Sequence, residues 1–250
     1  MNSIKVSKYI YLPKTESTNQ YAQELVSKSN PDDHYCIYTD NQTHGKGQFG
    51  RIWYSEPGKN LTASFIVRLK HPVLHQFDLN MIFGLSVISL VKEILPDEKM
   101  TIKWPNDIYI NNNKLGGILI QNIVRGMNIT HGIFGIGLNV NQAEFPANLP
   151  NPISLKQITG KAHNKLLLLF RLQILFEEKI NFYITRTAEL KNAYLSELYG
   201  MGQNLMFCNQ QEEKFEGRIE GISDEGRLCV SSGGNTQAYN FREIRFIIPE

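Results

Sequence analysis

Cysteine is scarce in this 250-residue chain. Cys36, Cys208 and Cys229 form no CxxC pair and no even-numbered framework. That excludes a disulfide scaffold and reads as reduced thiols in a cytoplasmic protein. No Cys/His spacing suggests zinc. No block of one charge sign is present: 26 Lys+Arg face 24 Asp+Glu, a net charge of +2. This argues against a dedicated nucleic-acid or membrane surface and leaves room for a local basic pocket. No apolar run approaches membrane-span length, and the N-terminus lacks a secretory h-region. A G-x-x-x-x-G-K-[ST] loop is missing, as are the V-A-I-K, H-R-D and D-F-G strings of protein kinases, so both phosphate-handling classes are excluded. Internal repeats and low-complexity linkers are absent too. The hydrophobic content of 42% is enough for a normal core, and the length suits one large domain or a large one with a small partner.

Glycine, cations and aromatics concentrate in one place, Gly45-Lys46-Gly47-Gln48-Phe49-Gly50-Arg51-Ile52-Trp53. Glycine lets backbone N–H groups approach a ligand, Lys and Arg favour an anion, and Trp53 offers a face for a base. The G-x-G-x-x-G spacing itself is weak evidence. A dinucleotide fold needs a helix opening at the glycines, whereas Pro57-Gly58 signals a turn soon after them. An ordinary Gly-rich turn explains the spacing alone; the clustered charge and Trp53 point to a phosphorylated, nucleotide-like group.

Around this loop the pattern alternates helix and strand. Residues 9–12 and 35–39 read as short strands. Ser17 and Gln20 have capping-box spacing, and Tyr21, Ala22, Leu25 and Val26 share one helical face, so a helix starts at Ser17 or Thr18. These hydroxyls serve as caps, a role compatible with ligand contact at a helix N-terminus. Residues 61–69 alternate as a strand. Asp78 to Leu95 is a helix with Asp78 as N-cap and Pro96 as stop, apolar enough to be well buried. Thr101–Trp104, Ile108–Ile110, an Asn111-Asn112-Asn113 turn and Leu115–Gln121 form a hairpin arrangement, followed by a strand over 132–140. Residues 164–199 carry two helices broken near 181–186. After Gly200-Met201-Gly202, about five short strands predict a small β-barrel or SH3-like module.

A second constellation lies in the hairpin. Lys103-Trp104-Pro105-Asn106-Asp107 ends one strand and begins the next, and Lys114-Leu115-Gly116-Gly117-Ile118 follows across the turn. The hairpin brings Asp107 and Lys114 together. A carboxylate able to hold Mg²⁺ and an ammonium able to neutralise an α-phosphate suit adenylation. Taken singly, Asp107 is accounted for as a turn residue and Lys114 as a solvated hairpin charge; the Trp-Pro-Asn-Asp unit has no strand or helix rationale.

Taken together, Ser17-Thr18-Asn19, Gly45 to Trp53, Lys103 to Asp107, Lys114 to Leu119 and Gly135-Ile136-Gly137-Leu138-Asn139-Val140 closely resemble the biotin–protein ligases. The resemblance implies an α+β fold. A mixed β-sheet catalytic domain flanked by helices, of the class II aminoacyl-tRNA synthetase and biotin ligase kind, would occupy residues 1–200. A small C-terminal SH3-like β-barrel would occupy residues 201–250. It implies ATP and biotin as substrates with Mg²⁺, formation of biotinoyl-5′-AMP, and transfer to a lysine of a biotin carboxyl carrier protein domain of a biotin-dependent carboxylase. By the same resemblance Ser17, Thr18, Asn19, Gln42, Gly45, Lys46, Lys114 and Gly117 would surround biotin. Lys46, Gly47, Gln48, Arg51, Trp53, Asn106 and Asn139 would hold the nucleotide, with Trp53 and Asn139 at the adenine. Lys114, assisted by Arg51 and Lys46, would be the electrostatic catalyst. Asp107 would be the metal ligand, directly or through water.

The chain departs from the family's Gly-Arg-Gly-Arg loop at Lys46, which keeps the charge without the planar fork, and at Gln48, which loses it. The ligase motif begins at residue 15, which leaves no room for a preceding DNA-binding domain, so no DNA partner is expected; a homodimer stays open. A lipoate–protein ligase shares the chemistry, but the polar Ser17, Thr18, Asn19 and Gln42 set suits a ureido ring better than an apolar chain. A noncatalytic nucleotide- or RNA-binding module is disfavoured by the few aromatic and basic residues after residue 200.

Overall fold

Seven strands form a mixed sheet in the order β1-β2-β3-β7-β6-β5-β4. In chain order the elements are β1 (Lys8–Leu12), α1 (Thr18–Ser29), β2 (Tyr35–Thr39), β3 (Leu61–Arg68), α2 (Gln76–Ile94), β4 (Met100–Lys103), β5 (Asp107–Ile110), β6 (Asn113–Arg125) and β7 (Asn128–Leu138). There follow α3 (Leu155–Thr159), α4 (Lys165–Tyr183), α5 (Thr187–Ser196), β8 (Asn204–Asn209), β9 (Lys214–Ile222), β10 (Leu228–Ser232), β11 (Asn235–Tyr239) and β12 (Ile244–Ile247). The structure, a computed structural model, describes residues 3–69, 75–126 and 128–248. Only the β1–β2 pair is parallel; the remaining pairs of this sheet are antiparallel.

Strand β3 explains how the sheet is covered. It is buried along nearly its whole length, so its alternation separates two buried faces, not a wet face from a dry one. Leu61, Ala63, Phe65 and Val67 enter the main core with α2 and α4. Phe65, Phe83, Phe134 and Phe176 interlock there at centroid separations of 4.7–5.9 Å. Ile66 faces the other way and packs with Ala22 and Val26 of α1, together with Ile37 and Ile133. Thr62 and Ser64 are also buried.

The cap of α1 follows the sequence: the Ser17 side chain accepts from the Gln20 N–H. The start of α2 differs from expectation. His75 is the N-cap, and Asp78 stands three residues inside the helix, where its carboxylate accepts from the His75 N–H at 2.8 Å. Both positions favour an acid, because both face the unpaired N–H groups and the positive dipole end. The two helices expected over 164–199 are α4 and α5; α3 was not anticipated.

The C-terminal strands are five, antiparallel, in the order β11-β10-β9-β8-β12. They form an open sheet and not the closed barrel expected. The end strand β12 instead faces the first sheet, with the Phe246 ring under Lys103 of β4 at 4.9 Å and packed on Tyr199. The preceding residue Phe241 packs on Trp104 and Phe77. Trp104, 3% exposed, donates its indole N–H to the Gly226 carbonyl at 2.9 Å and so fastens the two sheets together.

Candidate active site

The N-terminus of α1 opens onto a cleft and carries three of the predicted residues there. Ser17, Thr18 and Asn19 are each buried yet line the cleft. Gln42 crosses to this end, where its Oε1 accepts the Thr18 backbone N–H at 2.9 Å. That bond leaves the Gln42 NH₂ as the donor group. The Asn19 amide donates to the Leu119 carbonyl at 3.0 Å and to Gln121 Oε1 at 3.2 Å, tying α1 to β6. A Cβ at Gly135 would sit 2.1 Å from Asn19 Oδ1, so β7 needs glycine where the amide crosses it.

The Gly45–Trp53 segment is a narrow, folded-back loop. Trp53 N–H donates to the Gly45 carbonyl at 2.8 Å, and Gly47 N–H to the Arg51 carbonyl at 2.7 Å. Its tip is a 3₁₀ turn over Gln48–Gly50, with Phe49 in the left-handed region at φ 57°. At the base, a Cβ on Gly45 would lie 2.3 Å from the Trp53 carbonyl oxygen, so the two arms meet only because residue 45 has no side chain. The Trp53 indole then lies over Gly117 and Gly137, whose added Cβ atoms would fall 3.3 and 2.2 Å from its ring. Its Nε1 is buried and has no hydrogen-bond partner among the described residues.

The hairpin supplies the charges. Lys114 Nζ and Asp107 Oδ1 are 2.7 Å apart, and Lys114 lies 5.7 Å from the centroid of the Trp53 ring. Asp107 is paired across the ladder with Lys103 on one side and Gly117 on the other. Asn106 donates its amide to the Ile118 carbonyl, while Ile118 N–H returns a bond to the Asn106 carbonyl. Lys103 sits between the Tyr109 and Phe246 rings, at 5.3 and 4.9 Å. Desolvation lowers its pKa, partly countered by Asp107. Asn139 is 3% exposed, and its amide donates to the Ile153 carbonyl at 3.0 Å.

These elements border one cleft of about 1010 Å³. Every predicted site residue lines it except Gly45, which sits buried at the base of the loop. The cleft wall also includes Phe241 and Arg242 from the turn between β11 and β12, and Arg245 and Phe246 from β12, none of them singled out by sequence reasoning. Lys103 lines it too, a cation of the Lys-Trp-Pro-Asn-Asp motif to which the sequence alone assigns no role. Six cations (Lys46, Arg51, Lys103, Lys114, Arg242, Arg245) face two carboxylates (Asp107, Glu212) across the cleft. This excess suits a polyanion such as a triphosphate. Among the described residues, no group of three or more His, Cys, Asp or Glu side chains is placed to hold a metal. With Glu212 taken up by Arg245, Asp107 is the carboxylate beside the Lys114 ammonium, and a lone carboxylate there fits Mg²⁺ carried in on phosphates, the usual mode for that ion.

Comparison with known proteins agrees with this architecture. Residues 11–139 match the biotin/lipoate A/B protein ligase family, and residues 208–246 match the biotin protein ligase C terminal domain. The bifunctional ligase/repressor BirA of Bacillus subtilis is 31% identical over 227 residues, covering 89% of this chain and 69% of that one. The biotin–[acetyl-CoA-carboxylase] ligase of Paracoccus denitrificans is 27% identical, covering 94% and 99%. Among solved structures, the biotin protein ligase from Aquifex aeolicus in complex with biotin and ATP superposes with a TM-score of 0.79 at 26% identity, covering 97% of this chain and 100% of that one. The chain belongs to the biotin/lipoate A/B protein ligase family. Within it, the C-terminal match and these relatives make it a ligase of the biotin kind, in preference to the lipoate kind.

Proposed function

We propose that this biotin–protein ligase works by closing the Gly45–Trp53 loop over biotin and ATP held in the cationic cleft. The enzyme joins biotin to a carboxyl carrier protein in two steps. A biotin carboxylate oxygen attacks the α-phosphorus of ATP, and pyrophosphate leaves. The amine of an acceptor lysine then attacks the acyl carbon of biotinoyl-5′-AMP, loses a proton and releases AMP. The observation that carries the assignment of roles is the 2.7 Å Asp107–Lys114 pair inside a cleft shared by α1, the glycine loop and the C-terminal sheet.

In this reading Ser17, Thr18, Asn19 and Gln42 bind the ureido ring, while Gly117 and Gly137 leave room for the Trp53 indole. Lys114 bridges the biotin carboxylate and the α-phosphate, where negative charge builds in the first step. Asp107 orients Lys114 and would hold Mg²⁺ directly or through water; the ion supplies further neutralisation of the phosphates. Lys46, Arg51, Gln48, Gly47 and Asn106 face the nucleotide. Trp53 and Asn139 are assigned to the adenine, although the backbone carbonyl bond held by the Asn139 amide favours a structural share for that residue. Residues 1–200 act as the catalytic unit and residues 201–250 as the cationic wall.

The finer partner reading keeps self-association through a sheet edge, with β1 and β4 as the two ends of the larger sheet. No helix among the described residues is long and apolar enough to cross a membrane. The free thiols support a cytoplasmic setting. The test is biotin- and ATP-dependent transfer to a purified carrier domain, read by mass spectrometry. Biotinylation of one lysine is expected, with biotin-dependent ATP–pyrophosphate exchange; an unmodified carrier and no exchange would overturn the reading.

A further inference from the structure

Beneath the proposed biotin contacts lies a residue that touches the cleft nowhere. Ser64 of β3 is fully buried, on the face of the sheet that α1 covers. Its hydroxyl oxygen is 2.7 Å from Thr18 Oγ1 and 2.5 Å from Asn19 Oδ1. Counting protons assigns a direction to each bond. The Asn19 NH₂ points to two acceptors, the Leu119 carbonyl and Gln121 Oε1, which turns Asn19 Oδ1 toward Ser64. An amide oxygen only accepts, so the single Ser64 proton goes to Asn19. The 2.7 Å contact with Thr18 then needs the Thr18 proton, and the alternative acceptor, Gln42 Oε1, is more distant at 3.4 Å. Thr18, which lines the cleft, is left with lone pairs on Oγ1 and no proton to offer.

We propose that Ser64 is a positioning residue that draws the Thr18 hydroxyl proton inward and so presents Thr18 Oγ1 to bound biotin as an acceptor for a ureido N–H. This rests on the reading of Thr18 as a biotin contact. The relay runs from β6 through Asn19 and Ser64 to Thr18, and every group in it has a partner. It also sets specificity. A ring with an N–H fills the acceptor; a ring without one, such as the dithiolane of lipoate, leaves it desolvated and unpaired. Without Ser64 the Thr18 proton has only the longer 3.4 Å contact to Gln42 Oε1 to hold it, and part of its population turns to offer a proton where the ligand offers one as well.

Calorimetric titration of biotin and of ATP into wild type, Ser64→Ala, Thr18→Val and the double variant tests this, with thermal melting to confirm that each is folded. Ser64→Ala is expected to weaken biotin binding roughly tenfold or more, to leave ATP affinity unchanged, and to cost nothing further in the Thr18→Val background. Where Thr18→Val binds too weakly to titrate, the same cycle is read from the KM for biotin in adenylate formation. Wild-type biotin affinity in folded Ser64→Ala, or fully additive losses in the double variant, would overturn the proposal. Failure of the wild-type protein to bind biotin would instead sink the ligase assignment on which it stands.

Discussion

Arg242 stacks its guanidinium on the ring of Phe49 at 4.2 Å and donates to the Phe49 backbone carbonyl. The contact joins the C-terminal sheet to the tip of the glycine loop, and Phe241 adds a ring 6.0 Å from Phe49. An otherwise exposed loop tip thus has one latch. With Arg242 exposed and Phe49 half exposed, the stacked cation and its hydrogen bond together contribute about 1 kcal/mol. Arg242→Ala should therefore shift the loop toward open by roughly fivefold. In the absence of acceptor, purified Arg242→Ala enzyme is expected to release biotinoyl-5′-AMP several-fold faster than wild type, with unchanged melting temperature. Equal release rates would show that the latch does not hold the loop during turnover.

Gln48 stands in the same loop where the family carries a second arginine. Among the described residues its side chain makes no hydrogen bond, and it lines the cleft. Its amide is available to the bound intermediate, as a neutral substitute for a guanidinium. Gln48→Ala should raise adenylate release in the absence of acceptor, and Gln48→Arg should lower it below the wild-type rate. If Gln48→Ala leaks no more than wild type, retention belongs to Lys46, Arg51 and the Arg242 latch.

How far each feature was legible depended on its sequence range. The α1 cap was readable because Ser17 and Gln20 are three residues apart, and the Asp107–Lys114 pair because a short Asn turn separates their strands. The order of acids at a helix start was not readable: Asp78 suits the third helical position as well as the cap. Counting five short strands did not reveal whether they close, since closure depends on what the last strand packs against. Contacts across long separations left no local signal. Arg242 meets Phe49 from 193 residues away, and Trp104 meets Gly226 from 122. Ser64 looked like one polar position in an alternating strand, and only the packing of α1 over β3 gives its hydroxyl a purpose.

Trp104 illustrates a motif residue whose work is structural. In the sequence the Trp-Pro-Asn-Asp unit reads as chemistry, and Asn106 and Asp107 do line the cleft. The indole instead is buried against Phe241, 5.0 Å between centroids, with its N–H on the Gly226 carbonyl. Trp104→Phe keeps an aromatic ring and removes the donor, leaving that carbonyl unpaired in a dry seam. The expected cost is about 1–3 kcal/mol of unfolding free energy by denaturant titration. ATP affinity should fall with it, because Arg242 and Arg245 line the cleft only while the C-terminal sheet is docked. Unaltered stability would mean that water replaces the indole at Gly226.

Lys114 is the residue on which the rate should depend most. Its ammonium is held at 2.7 Å by Asp107 and flanked by Trp53, so its position is set before substrate arrives. A cation held in this way stabilises charge developing at the α-phosphate without reorganising. Lys114→Ala should slow biotinoyl-adenylate formation by on the order of a hundredfold or more. ATP binding should weaken far less, because Lys46, Arg51, Lys103, Arg242 and Arg245 still line the cleft. Single-turnover adenylation with pre-bound substrates separates the two effects. Near-wild-type single-turnover rates would remove Lys114 from the transition state and leave it as the structural partner of Asp107, whereas a matching loss in ATP affinity would mark its contribution as uniform binding.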